Sequence, residues 1–137
     1  MRRVVTAGIG LVAALGTIGI TAPAQAATTA GKDFYTDYGA TWYKGSVSFS
    51  NQTVSAYGRI STSPGSGCRY GAIIPFVGTR EYAGAKTPTV CDGAYTEGSI
   101  TSVDSVRGGY TSVVVAIFAV YPDGTAEAVR TTKHILR

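Results

Sequence analysis

The clearest hydrophobic pattern in the chain spans residues 110–132. A run of β-branched and aromatic residues reaches Tyr121, breaks at Pro122-Asp123-Gly124, and resumes as a more polar run. This pattern predicts a β-hairpin, because Pro122 presets its own φ and Gly124 can take the left-handed conformation that a three-residue loop needs. The predicted register pairs Tyr121 with Thr125, Val120 with Ala126, Phe118 with Ala128 and Ile117 with Val129.

The first arm of this hairpin is apolar on both of its faces. Side chains alternate along a strand, so one face carries Val114, Ala116, Phe118 and Val120, and the other carries Val113, Val115, Ile117, Ala119 and Tyr121. A strand that is apolar on both sides is typical of the centre of a sheet. Its partner carries Glu127, Arg130 and Lys133, which predicts a half-solvated strand.

The rest of the chain reads as short strands separated by turn signals. Residues 46–50 and 53–62 predict a second hairpin around Asn51-Gln52, and the aromatic-rich stretch 31–44 ends in a strand through Trp42. Residues 68–77 form a further strand, with Pro75 at an edge or a bulge. Residues 78–88 are irregular, and 90–95 and 98–106 are possible strands. No window shows helical periodicity over three turns, so we expect an all-β fold, a small antiparallel β-sandwich or barrel.

The N-terminus has the three-part pattern of a secretory signal peptide. Two arginines precede an apolar stretch from Val4 to about Ala22, and Ala24-Gln25-Ala26 supplies a small-residue cleavage site. We therefore expect residues 1–26 to be removed and the protein to be secreted, with no transmembrane segment after cleavage. The alternative is an N-terminal membrane anchor. Residues 27–137 then form a single all-β domain, in which we expect residues 27–32 to be disordered.

Removal of the signal peptide leaves 111 of the 137 residues and a formal charge of +2, because two of the twelve basic residues lie in the signal. Such a small charge gives no reason to expect a nucleic-acid or membrane partner. All fourteen aromatic residues and both cysteines remain in the mature chain. In an exported protein, two cysteines predict one disulfide, Cys68–Cys91. A redox or metal pair would need a CxxC spacing or a third ligand nearby, and the sequence has neither.

Motifs for catalysis, metals and cofactors are missing from the sequence. There is one histidine, His134, and no GxSxG, HExxH or DxDxDG motif, so we expect no cofactor, no metal site and no enzymatic activity. A small ribonuclease is the catalytic alternative, since that chemistry uses a glutamate base, phosphate-binding arginines and a histidine acid. The chain supplies these residue types in Glu81, Glu97, Glu127, Arg69, Arg80, Arg130 and His134, but in no recognisable motif.

Two segments could bind a partner. The first is the loop of residues 78–88, which carries Arg80, Glu81, Tyr82 and Lys86 between the two cysteines. A loop constrained in this way suits an inhibitor of an extracellular enzyme, because preorganisation lowers the entropic cost of binding. The alternative is a surface loop that the disulfide ties down for stability alone.

The second segment is the aromatic set Phe34, Tyr35, Tyr38, Trp42 and Tyr43, of which Tyr38, Trp42 and Tyr43 are the binding candidates. Exposed rings of this kind stack on sugars, while buried ones fill a core. The sequence therefore predicts a small secreted, non-catalytic binding protein, in first place an inhibitor of a secreted hydrolase. A protein that binds cell-wall glycan or belongs to the cell envelope is the alternative.

Overall fold

The computed structural model describes residues 31–137; the predicted signal peptide and residues 27–30 lie outside this part. The described chain is all-β, and eleven antiparallel strands account for its regular structure. The strands are β1 (Lys32–Tyr38), β2 (Thr41–Phe49), β3 (Val54–Ser61), β4 (Cys68–Val77), β5 (Arg80–Glu81), β6 (Ala85–Lys86), β7 (Val90–Cys91), β8 (Tyr95–Thr101), β9 (Ser112–Val120), β10 (Ala126–Thr131) and β11 (Ile135–Leu136).

The first sheet has four strands in the order β1-β2-β3-β8. A tight turn with Gly39 at φ 63° joins β1 to β2. The turn between β2 and β3 is held by Ser50, whose backbone N–H donates to the carbonyl oxygen of Thr53 at 2.8 Å. The predicted hairpin around Asn51-Gln52 is therefore confirmed. Each strand buries alternate residues, as a sheet with one solvated face requires.

The second sheet is built on β9 and β4, which pair over nine residues. One edge of β9 pairs with β10 and then with β11, and the far edge of β4 pairs in turn with β7, β6 and β5. Pro75 lies between the stretches of β4 that pair with β6 and β5. Its missing N–H therefore costs the ladder nothing on that side. The expected edge position is nevertheless wrong, because β4 is paired on both sides, and Pro75 lies instead where the pairing on one side is interrupted.

The hairpin predicted around Tyr121 is present, with β9 in the interior of its sheet. The backbone N–H of Tyr121 donates to the carbonyl oxygen of Thr125 at 2.9 Å, and Gly124 has φ 90°. One predicted pair is wrong: Ile117 lies opposite Arg130 instead of Val129, because the register shifts between Ala128 and Arg130. The bulge adds one residue to β10, which the spacing of apolar residues does not reveal.

Side chains from both sheets meet in one hydrophobic core. Among its largest fully buried members are Tyr43, Phe49 and Ile60 from the first sheet and Ile73 and Ile117 from the second. The inner row of β9 consists of Val113, Val115 and Ile117, all without exposed surface. The first arm of the hairpin is thus a core strand, as its two apolar faces predict.

The disulfide Cys68–Cys91 is present and joins β4 to β7 at a directly paired position. The segment it encloses is more ordered than predicted, since β5, β6 and β7 all pair with β4. The predicted strands 90–95 and 98–106 need new boundaries: β8 starts at Tyr95 and ends at Thr101. Lys32 is paired with Val47 in the first sheet, so the disorder expected for residues 27–32 does not extend to it.

Two buried tyrosines allow a test of hydrogen bonding in the core, because replacing each with phenylalanine should change the stability in opposite directions. Tyr43 and Tyr110 are both completely buried, but only the hydroxyl of Tyr110 has a partner, the carbonyl oxygen of Asp104 at 2.8 Å. The hydroxyl of Tyr43 has no hydrogen-bond partner, and burial raises the pKa of Tyr43 to about 12.

We expect Tyr43→Phe to stabilise the protein by about 1 kcal/mol, because it removes a desolvated hydroxyl that gains nothing in return. Tyr110→Phe should destabilise it by about 1 kcal/mol, because it removes the hydrogen bond that the Tyr110 hydroxyl donates to the carbonyl oxygen of Asp104. Urea unfolding of both variants measures the two changes. A loss of stability in Tyr43→Phe as large as that in Tyr110→Phe would contradict the unpaired state of the Tyr43 hydroxyl.

No helix among residues 31–137 is long and apolar enough to cross a membrane.

Candidate functional site

The outward surface of the first sheet, here called the open face, brings polar and aromatic side chains from four strands together. Residues directly opposite each other in antiparallel strands point to the same side, so the register orders this surface into rows. The central row runs across the sheet through Tyr35, Lys44, Arg59 and Glu97. The rows on either side of it are Asp33, Ser46, Tyr57 and Ser99, and Asp37, Trp42, Ser61 and Tyr95.

A shallow groove of about 470 Å³ lies over the centre of the open face, and its lining includes Tyr35, Lys44, Tyr57, Arg59 and Glu97. Two glycines, Gly45 and Gly58, lie at the bottom of the groove, directly opposite each other in β2 and β3.

Aromatic rings are unusually open to solvent around this groove. Tyr35 is 59%, Tyr57 55% and Tyr95 57% exposed, and Trp42 is half-buried beside them. Large aromatic side chains that serve only to stabilise a fold bury most of their surface. Three tyrosines that each expose more than half of their surface on one face of a sheet therefore make this face the candidate binding surface.

Both cations of the groove lie on aromatic rings. The Nζ of Lys44 is 4.8 Å from the ring centre of Trp42, and the Cζ of Arg59 is 3.7 Å from the ring centre of Tyr95. Each contact contributes about 0.5–1 kcal/mol at an exposed site and limits the positions that the cation can take. The positive charges are thus held in place above the sheet.

Tyr35 completes the central row at β1. Its hydroxyl donates to Oδ2 of Asp37 at 3.4 Å, and desolvation together with the nearby Asp37 carboxylate raises the pKa of Tyr35. The phenol therefore stays protonated at neutral pH and keeps a proton to donate. The rows around it add the hydroxyls of Ser46 and Ser99, so the groove offers donors and acceptors between its rings.

The two acidic residues of the groove lie on strands that are not neighbours. Asp33 lies on β1 and Glu97 on β8, at the two outer strands of the sheet, which are about 14 Å apart at a spacing of ~4.8 Å per strand. Pairs of carboxyl groups that cleave glycosidic bonds lie roughly 5–9.5 Å apart. Within residues 31–137, no group of three or more His, Cys, Asp or Glu side chains is placed to hold a metal ion.

The aromatic residues named in the sequence analysis fall into two groups in the structure, one exposed and one in the core. Trp42 and Tyr35 lie on the open face, and Tyr38 is 41% exposed at the turn between β1 and β2. Phe34 and Tyr43 instead point into the core, where their rings make an edge-to-face contact with centres 4.9 Å apart. Tyr43 has no exposed surface and is therefore excluded as a ligand-stacking residue.

The disulfide-bounded loop lies flat along β4. Arg80 and Glu81 are exposed in β5, and the Tyr82 ring is half-buried against Tyr110, with centres 5.5 Å apart. Lys86 pairs with β4 five positions away from Arg80, a distance of about 17 Å along the strand. The four predicted residues thus form a small group at Arg80, Glu81 and Tyr82, with Lys86 separate from it.

His134 lies outside the groove. Its Nδ1 is 2.9 Å from the Oγ of Ser112, and its ring contacts Phe76 with centres 4.6 Å apart. It lines a smaller cavity of about 240 Å³, which shares Asp33 and Tyr35 with the groove. The residue types required by the ribonuclease alternative are therefore distributed over different parts of the surface.

Tyr57, Tyr95, Lys44 and Arg59 are absent from the site predicted by sequence. A signal for them exists in β3, where Ser55, Tyr57, Arg59 and Ser61 alternate with buried residues, so a solvated face containing a tyrosine and an arginine is readable. The sequence does not reveal that β1, β2 and β8 place similar residues beside them. No protein-family model matches this chain, and no curated protein or solved structure resembles it significantly.

Proposed function

We propose that this protein is a non-catalytic binding protein whose ligand is an extracellular polysaccharide held on the open face. The observation that carries the proposal is the set of four outward rings on one face: Tyr35 and Tyr57 line the groove, and Trp42 and Tyr95 lie in the row beside it. The flat faces of aromatic rings pack against the C–H groups of sugar rings, while their polar atoms and neighbours bind sugar hydroxyls.

The dimensions of the face support an extended ligand. Successive rows are two residues apart along a strand, or about 7 Å, and neighbouring strands are about 4.8 Å apart. The outward rings therefore span all four strands, from Tyr35 on β1 to Tyr95 on β8. Such a surface fits several linked sugar units better than a single small molecule.

Two further parts of this proposal concern location and architecture. We propose that the chain is exported, because its N-terminal pattern is that of a signal peptide and its one disulfide is compatible with an oxidising, extracellular environment. We also propose that the two sheets form a β-sandwich. In support of this, Phe49 and Ile60 of the first sheet share one core with Ile73 and Ile117 of the second.

The test is binding of the protein to insoluble and soluble polysaccharides, measured by co-sedimentation and by affinity electrophoresis. We expect at least one polysaccharide to bind, and Tyr57→Ala with Tyr95→Ala to weaken binding by roughly tenfold or more, since each lost ring contact contributes about 0.5–1.5 kcal/mol. Tyr121→Ala is the control, because Tyr121 is 43% exposed on the other sheet. Absence of binding to every polysaccharide, or equal losses in both variants, would contradict the proposal.

The second candidate is inhibition of an extracellular hydrolase. It is favoured by Arg80 and Glu81, which are exposed at the tight turn between β4 and β5 and are ordered by the ring of Tyr82, 4.9 Å from the Cζ of Arg80. A panel of secreted proteases and an amylase tests it directly. Inhibition that is lost in Arg80→Ala with Tyr82→Ala, and kept in Tyr57→Ala with Tyr95→Ala, would assign the function to this turn.

A further inference from the structure

The centre of the open face holds two positive charges side by side. Lys44 on β2 and Arg59 on β3 are directly opposite each other, which places their Cβ atoms about 5 Å apart. Like charges at directly opposite positions destabilise a sheet. A pair of this kind in the groove therefore has a cost to folding that a bound anion would remove.

Neither cation is neutralised by an acid within residues 31–137. Glu97 lies directly opposite Arg59 on β8 but makes no ion pair with it, and the guanidinium is stacked on Tyr95 instead. The Nε of Arg59 is buried and has no hydrogen-bond partner. A guanidinium held over a ring and free of an acidic partner keeps N–H donors that can bind a carboxylate.

We propose that the open face is selective for carboxylate-bearing polysaccharides and binds one carboxylate between Lys44 and Arg59. This inference rests on the proposed polysaccharide function and adds the chemical class of its ligand. The carboxylate accepts hydrogen bonds from the ammonium and the guanidinium, while the attached sugar chain lies on the neighbouring rings of Tyr57 and Tyr95.

The acids of the groove limit how much negative charge the ligand can carry. Asp33 and Glu97 lie on the outer strands, on either side of the central cation pair. A densely sulfated polymer would place further anions near these carboxylates and be repelled. We therefore expect a polymer with one carboxylate per sugar unit to bind better than one with several charges per unit, and no general preference for polyanions.

The experiment compares polygalacturonate with its fully methyl-esterified form, which has the same backbone without the charge. We expect the full protein to bind polygalacturonate at least tenfold more tightly than the ester. Lys44→Met with Arg59→Met should remove this difference, so that the variant binds polygalacturonate no more tightly than it binds the ester. Dextran sulfate should bind at least tenfold more weakly than polygalacturonate.

A matched control is available at the other sheet. Arg80 and Lys86 also lie on tyrosine rings, at 4.9 and 4.7 Å, but belong to strands of the second sheet and do not line the groove, so Arg80→Met with Lys86→Met should change neither affinity. Equal binding of acid and ester, or of polygalacturonate and dextran sulfate, would overturn this inference while leaving the polysaccharide function intact. Failure of every polysaccharide to bind would overturn the proposed function itself.

Discussion

Replacing Gly45 with alanine is expected to destabilise the protein by about 1–3 kcal/mol, the range found when extra atoms are forced into packed structure. Gly45 lies on β2 directly opposite Gly58 of β3. A Cβ at Gly45 would lie 2.5 Å from the Cα of Gly58 and closer still to the carbonyl oxygen of Tyr57, well inside van der Waals contact distance. These are backbone atoms, so the contact can be relieved only by separating the two strands.

The same row provides a control with the same substitution. Gly98 of β8 lies opposite Gly58 on its other side, and a Cβ there would meet nothing within 4 Å. Gly98→Ala should therefore be neutral or stabilise by up to about 1 kcal/mol, because alanine reduces the entropy of the unfolded chain. Urea unfolding of the two variants under identical conditions gives the comparison. Equal stabilities would show that β2 and β3 do not depend on a close approach at Gly45.

This row also explains the groove of the candidate site. Glycine inside a strand marks a place where another backbone approaches closely, and here two of them face each other at the bottom of the groove. Lys44 and Ser46 flank Gly45 on the open face, so the position of both side chains depends on this contact. Binding at the groove should accordingly fall in Gly45→Ala even at temperatures where the variant remains folded.

Local chemistry explains which parts of the fold were predictable from sequence. The turn at Pro122-Asp123-Gly124 is determined by its own residues, and the register next to it follows directly, as far as the Phe118–Ala128 pair. The bulge beyond Ala128 depends on how β10 fits against β9, and no residue in the pattern encodes it. The same limit applies to β5, β6 and β7, which are strands only because the edge of β4 is available to pair with them.

The candidate site was less predictable because its residues are distant in sequence. Tyr35 and Glu97 share one row although 62 positions separate them, and only the register of three strand pairs brings them together. Neighbouring aromatic residues also have opposite roles: Trp42 is on the open face and Tyr43 is in the core. Alternation requires that the two point in opposite directions, but only the packing of the second sheet decides which direction is inward.

Removing the disulfide with Cys68→Ala and Cys91→Ala is expected to destabilise the protein by about 3 kcal/mol. In the chain-entropy account, the cross-link restricts the unfolded chain, and a loop of 23 residues gives an effect of this size. The corresponding fall in melting temperature is roughly 10–15 °C for a domain of this length. Thermal unfolding followed by circular dichroism measures it.

The native structure should nevertheless persist in this variant, because the enclosed segment has other attachments. The Oγ1 of buried Thr87 accepts a hydrogen bond from the backbone N–H of Gly71 at 3.0 Å, and the N–H of Thr87 donates to the carbonyl oxygen of Gly71 at 2.8 Å. Val90 is buried in the core beside them. Far-ultraviolet spectra and binding at the open face should therefore match those of the unmodified protein below the lower melting temperature.

Cys68→Ala alone provides the control for this argument. It breaks the same cross-link and leaves one thiol, so its loss of stability should equal that of the double variant to within about 0.5 kcal/mol. A double variant with an unchanged melting temperature would mean that the unfolded chain is already constrained without the cross-link. Loss of the native spectrum in this variant already at low temperature would instead show that the disulfide stabilises the folded state. The position of β7 and of the segment before it along β4 would then depend on Cys91 rather than on Thr87 and Val90.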